Sequence, residues 1–315
     1  MTSRLRSIAL GTALVAGGAL ALNAAALHDF RLRRVVVPVL PAGWGPVRVL
    51  HISDLHLAPW QTAKIAWVRA LASLHPDLVI DTGDNLGHSA ALPALRGALN
   101  PLLQYPGGFG DGGNDHWAPR MKNPARYLLG PSHRDREETP LDTAALHRLL
   151  IDGGWADLNN SATDIELPPG TLRLAGTGDA HEQGDDLPAA LRVLESTPAD
   201  DGAPLLGVTH APYRRVLDGF AAAGAALVLA GHTHGGQIRL PGFGAIIDNC
   251  DLPRQMARGL HEWPVSAAQS VDGAPMRVEV SAGLGTSIFA PVRMWCPPEA
   301  VMLTLVARDD VAATD

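Results

Sequence analysis

Carboxylates and imidazoles in this 315-residue chain gather in a few short segments. Two of these pair their donors at a spacing of two residues: Asp54-Leu55-His56 and His232-Thr233-His234. In an extended segment residues two apart face the same side, so each pair aims two donors at one point. Asp84, Asn114 and His210 add donors from three further stretches. Carboxylate oxygen combined with imidazole nitrogen suits zinc, iron or manganese. The set exceeds what one four-coordinate ion needs and suits two ions sharing a bridging carboxylate. Alone, each residue has an ordinary explanation, since an aspartate at a strand end caps helices and a lone histidine is commonly a surface or satisfied core residue. The five segments together point to a metal cluster.

The elements that must position these donors are legible as short apolar runs alternating with helical ones. Val47 to Ile52 reads as a strand ending at Ser53-Asp54, and Asp77 to Asp81 as a buried strand ending at Thr82-Gly83-Asp84. Further strands are expected at Thr171 to Ala175, Pro204 to Val208, Ala226 to Leu229, Gln237 to Leu240, Met276 to Val280 and Val301 to Val306. Helices are expected at Thr62 to Leu74, between Ala90 and Leu103, near Leu141 to Ile151, and at Tyr213 to Ala223. Pro106 to Pro140 reads as a long functional loop. The strands are apolar on both faces, as expected where helices or a second sheet cover them. All the donors except Asn114 stand at a strand's C-terminal end or just past it, where open α/β sheets place their sites.

Composition bounds the rest. The formal charge is -7 and the pI about 6.0, so no basic footprint for gripping nucleic acid is present. Two cysteines, Cys250 and Cys296, are too few for a disulfide scaffold; they are either one bridge or two separate thiols. Ile8 to Leu27 carries no charge and is just long enough to span a bilayer. Residues 1–30 are therefore read as a single N-terminal anchor at the cell membrane, the alternative being an exported chain cleaved at Ala24-Ala25-Ala26. Residues 31–46 are read as a linker and 47–310 as the catalytic domain.

The segments Asp54-Leu55-His56, Gly83-Asp84-Asn85, Gly113-Asn114-Asp115, Thr209-His210 and Gly231-His232-Thr233-His234 resemble the calcineurin-like metallophosphoesterase superfamily. His232 to Gln237 and Ser281-Ala282-Gly283-Leu284-Gly285 are similar to its YkuE/YaeI-like membrane-associated bacterial branch. The resemblance implies an α/β fold of four αββα layers, two mixed β-sheets face to face with flanking helices. It implies that Asp54, His56 and His234 hold one ion, that Asn114, His210 and His232 hold the other, and that Asp84 bridges both. The ions would be manganese, iron or zinc, divalent or trivalent. A metal-bridging hydroxide would attack a phosphomonoester or phosphodiester, and the branch points to a lipid or cell-envelope substrate. His51 is expected to be a strand residue supporting a ligand.

One departure is plain. The superfamily reads Gly-Asn-His-Asp where this chain reads Gly113-Asn114-Asp115-His116. Asp115 stands in the place of the histidine that serves the leaving group, and His116 follows one position late. Asp115, His116 and His181 are therefore the candidates for catalytic proton transfer. The altered loop also leaves room for a metal-containing but catalytically weak protein that binds a phosphorylated ligand. Trp117, Arg120, Lys122, Asn123, Arg126 and Tyr127 could grip a phosphate or stand as a solvated loop. A metallo-β-lactamase arrangement is disfavoured, because its ligands fall in one His-x-His-x-Asp-His run.

Overall fold

The computed structural model describes residues 23–121, 139–197, 202–263 and 275–309. Two six-stranded sheets carry the fold. The first contains β1 (Arg31–Leu40), β2 (Val47–Ile52), β3 (Leu78–Asp81), β4 (Gly107–Phe109), β5 (Trp155–Asp157) and β14 (Glu299–Ala307), in the order β1-β14-β2-β3-β4-β5. The second contains β6 (Ala162–Leu167), β7 (Gly170–Gly176), β8 (Leu205–Thr209), β9 (Leu227–Ala230), β12 (Gly259–Trp263) and β13 (Met276–Val280), in the order β12-β13-β9-β8-β7-β6. Both sheets are mixed: β14 runs antiparallel to β2, and β12 and β6 run antiparallel to their neighbours. A two-stranded ribbon, β10 (Arg239–Leu240) with β11 (Gly244–Ala245), stands apart.

Strand periodicity explains why these runs are apolar throughout. In β3, Leu78 and Ile80 point into a core shared with Leu206, Val208, Leu227 and Leu229 of the other sheet. The intervening Val79 points the other way, into a core with Val68, Leu95 and Leu146. Those three lie on α1 (Thr62–Ala70), α2 (Leu92–Leu99) and α4 (Thr143–Asp152). A single turn, α3 (Gly113–His116), lies between the last two. Val228 of β9 likewise faces Leu194 and Phe220 on α5 (Leu187–Ser196) and α6 (Arg214–Ala222). The result is helices, sheet, sheet, helices, as the resemblance implied.

The structure revises several expectations. Residues 31–40, read as part of a linker, form β1, a ten-residue edge strand parallel to β14. Its arginines concealed an inward alternation of Val37 and Val39, both buried in the inter-sheet core. Arg33 pairs with the buried carboxylates of Glu279 on β13 and Glu299 on β14. Arg258 also pairs with Glu299, which accepts the Ala282 amide at 3.1 Å. Glu299→Ala should therefore cost about 3 kcal/mol, because it leaves two guanidinium groups without their shared acceptor; a denaturant midpoint unchanged from wild type would contradict this.

The expected membrane anchor, and with it the placement at the cell membrane, is corrected. No helix among the described residues is long and apolar enough to cross a membrane. Residues 1–22 of the expected anchor segment lie outside the described residues. Residues 23–28 are helical. Asn23 bonds to Pro291 O and to the Arg293 amide, both at 2.8 Å. Lys122, Asn123, Arg126 and Tyr127 also fall outside the described residues. Cys250 and Cys296 are free thiols.

Candidate metal centre

The C-terminal ends of β2, β3, β8 and β9 lead directly into the segments that carry the expected ligands. These segments are not extended, which corrects the reason given above for their convergence. Asp54, His56, Asp84, His232 and His234 all have left-handed backbones, with φ of 49°, 37°, 58°, 65° and 49°. For non-glycine residues such conformations cost of order 1–3 kcal/mol each and persist only where surrounding structure enforces them. The enforcement is visible. Asp54 N and His56 N donate to Gly83 O and Asp84 O, both at 2.8 Å. Gly231 N donates to His210 O at 2.9 Å, and Leu284 N to Ser53 O at 3.0 Å. The loops thus continue the sheets beyond their last formal ladder pairs.

Within this frame Asp54, His56, Asp84 and His234 bring one donor atom each into a common space, all within 4.8 Å of one another. His56 Nε2 stands 3.2 Å from His234 Nε2 and 3.2 Å from Asp84 Oδ2. His234 Nε2 lies 3.5 Å from Asp54 Oδ1. Ligands about 2.0–2.2 Å from one cation stand at such separations from each other, so the donor set fits a metal ion in both chemistry and spacing. Burial, then His56, holds the His234 imidazole well below its ordinary value, favouring the neutral form that ligates. Its Nδ1 faces Gly285 O at 3.0 Å, which fixes the ring.

Asp84 links this group to the other three expected ligands. Asn114 Nδ2 donates to Asp84 Oδ2 at 2.7 Å, and Asn114 N to Oδ1 at 2.7 Å. His210 Nε2 lies 3.6 Å from Asp84 Oδ2, while its Nδ1 faces Thr82 O at 2.7 Å. Burial opposes protonation of His210, but Asp84, Asp179 and Asp54 outweigh it and push the imidazole up to about 10. Opposing burial, His210 and His56 hold the Asp84 carboxyl well below its usual range. His232 packs its ring 5.2 Å from that of His210 and faces Asn249 O through Nε2 at 3.0 Å. Burial, then His210, pushes it down to about 4. His51 sits on β2, fully buried, with Nε2 3.0 Å from Thr82 Oγ1.

Space at the bridging carboxylate is tight. A methyl group at Gly112 would collide with Asp84 Oδ1 and come within 2.7 Å of His210 Nε2. Gly112→Ala should fold and yet lose turnover by roughly tenfold or more, since small displacements at a reacting centre are costly; wild-type kcat would contradict this.

The three candidates for proton transfer separate clearly. Asp115 is fully buried and accepts the amides of Asp84 (2.7 Å), Asn85 (2.8 Å), Leu86 (3.3 Å) and Gly112 (3.0 Å). A carboxylate so occupied shapes the loop. His116 has a side chain 43% exposed, with Nε2 3.2 Å from Asp111 Oδ2. His147 Nε2 reaches the same oxygen at 2.7 Å. Burial would raise the Asp111 carboxyl, but His116 and His147 hold it below its ordinary range. The His181 ring lies tilted against the His232 ring at 4.5 Å, with Nδ1 3.0 Å from Tyr213 Oη; burial, then His232, pushes it down to about 4. Asp111 and His147 were missed in the sequence. Asp111 lay among loop glycines, and nothing local ties His147, on α4, to the site.

No known family profile matches the chain. Curated proteins do. Over 216 residues it is 27% identical to YkoQ of Bacillus subtilis (strain 168), an uncharacterized metallophosphoesterase, covering 68% of this chain and 71% of that one. It is 24% identical to the uncharacterized metallophosphoesterase YkuE of the same bacterium over 285 residues, covering 85% and 82%. It is 26% identical to the phosphodiesterase YaeI of Escherichia coli (strain K12) over 272 residues, covering 83% of each. Relatives aligned along most of the chain, together with a buried carboxylate–imidazole cluster at the strand ends, make this protein a metal-dependent phosphoric ester hydrolase. It belongs to the calcineurin-like metallophosphoesterase superfamily, with YkuE and YaeI among its relatives.

Proposed function

We propose that the chain hydrolyses a phosphodiester with two cations held side by side, Asp84 lying between them. The observation that carries this reading is the position of Asp84 Oδ2, 3.2 Å from His56 Nε2, 3.6 Å from His210 Nε2 and 2.7 Å from Asn114 Nδ2. One carboxylate oxygen therefore faces ligands of both expected groups. Asp54, His56 and His234 would hold one cation, and Asn114, His210 and His232 the other. Manganese, iron and zinc all suit these donors. Bound together, two such ions acidify a water and neutralise phosphoryl oxygens.

His116 is the proposed donor of the leaving-group proton, held by Asp111, which His147 steadies from the other side. Asp115 is removed from that role by its four amides. His181 is better suited to packing against His232, since its neutral ring has little proton to give near neutral pH. That the relative YaeI is a phosphodiesterase favours a diester over a monoester. The lipid-linked substrate rests on the resemblance to the YaeI-like branch, and the N-terminal anchor no longer adds to it.

Purified protein loaded with manganese, iron or zinc should hydrolyse bis(p-nitrophenyl) phosphate faster than p-nitrophenyl phosphate and carry about two ions per chain. One ion per chain would remove the paired site, and preference for the monoester would remove the diester assignment. His116→Ala should slow an alkyl diester by about 10²-fold while sparing the activated aryl diester, because a good leaving group needs no proton. Equal loss on both substrates would exclude His116 as the acid.

A further inference from the structure

A second concentration of charge lies behind the metal centre and takes no part in it. Lys64 on α1 is 6% exposed and Arg293 1%. Neither has a carboxylate partner among the described residues. Lys64 Nζ donates only to Leu55 O, at 2.8 Å. The Arg293 guanidinium donates to the carbonyls of Ala282 (2.7 Å), Gly283 (3.1 Å), Gly285 (2.8 Å) and Cys296 (3.1 Å). Its Nε is buried with no hydrogen-bond partner. Burial, then the charge of Arg293, pushes Lys64 down to about 7. Two unpaired cations side by side in a protein interior are costly, and buried charges are ordinarily paired.

Both side chains line one cavity of about 280 Å³, between the start of α1 and residues 284–298. His28 and Thr286 line it too, and Phe30 and Trp60 supply apolar wall. No acidic side chain is among its described lining residues. The first turn of α1 contributes the positive end of its dipole, and among the described residues no hydrogen bond engages the Ala63 or Lys64 amide.

We infer that this cavity binds a small oxyanion, a phosphate or carboxylate group, between Lys64 and Arg293. The apolar wall and the volume admit an organic remainder on the anion. The cavity is distinct from the catalytic cleft. It touches the metal-ligand loops only through carbonyls: Leu55 O, held by Lys64, lies between Asp54 and His56, and Gly285 O, held by Arg293, also accepts His234 Nδ1. Occupancy would thus be felt at the metal centre through the backbone.

Inorganic phosphate titrated into the full chain, stripped of metal with a chelator, tests the site apart from catalysis. The melting temperature of wild type should rise by a few degrees at millimolar phosphate, as a ligand binding only the native state requires. Lys64→Met should abolish the response. Gln61→Glu leaves the Ala58 amide its acceptor and adds a negative charge beside the cavity. It should demand about tenfold more phosphate for the same shift, and it stands in if Lys64→Met does not fold. An unresponsive wild type overturns the site. So does a response that survives both substitutions, since phosphate would then be bound elsewhere, including among the metal-site histidines.

Discussion

Asp84→Ala will give a folded protein whose turnover falls by about 10³-fold or more, at any concentration of added metal. Its carboxylate faces ligand side chains of both groups, with His56, His210 and Asn114 all within 3.6 Å of one of its oxygens. Its loss removes a negative charge from between two cation sites and leaves His210 without its nearest counter-charge. Metal analysis should show fewer than two ions per chain in the variant. Retention of two ions with wild-type kcat would sink both the ligand assignment and the paired site. The fold should survive, because Asp84 sits beyond the end of β3 and its side chain belongs to none of the three apolar cores.

Asp115→Ala will do the opposite kind of damage, destabilising the protein by about 3 kcal/mol and taking activity with it. The side chain collects four amides from two loops, three of them the consecutive amides of Asp84, Asn85 and Leu86. Burial, then the nearby Asp111, Asp84 and Asp81, pushes its carboxyl up, and the amide donors counter this only in part. Alanine leaves those amides buried without acceptors. Asparagine retains one acceptor oxygen but turns N–H donors toward the others, so Asp115→Asn should recover only part of the loss. His116→Ala, at a half-exposed position, should leave the denaturation midpoint nearly unchanged. If Asp115→Ala unfolds at the wild-type midpoint, its carboxylate is not what holds the loop.

This contrast marks how far the sequence could be read. Strand ends carrying Asp54, Asp84, His210 and His232 were legible because fully buried strands announce themselves as apolar runs. The left-handed turns after them were not, since no local signal in Asp54-Leu55-His56 demands a positive φ. β4 was hidden by its glycines: a methyl group at Gly107 would come within 2.5 Å of the Trp155 ring, so β-propensity gives way to a tertiary contact. β1 was hidden by arginines whose partners, Glu279 and Glu299, come from the far end of the chain. The swap of histidine and aspartate at positions 115 and 116 looked like a defect in proton transfer. In the structure one residue organises the loop and the other faces outward beside Asp111.

The strand order β1-β14-β2 bears on how the molecule is made. β1 and β2 are successive in the chain yet never touch as neighbours; each pairs with β14, Val301 lying opposite both Arg33 and His51. Until β14 leaves the ribosome, the nascent sheet holds an empty slot with two unsatisfied edges. All seven proposed ligands will have been synthesised by then, but Glu299, which fixes the Ala282 amide, will not. Translation must therefore carry the chain through its last described strand before the first sheet can close. Closing pairings this distant in sequence is slow, and a stalled or truncated product would present exposed strand edges to its neighbours.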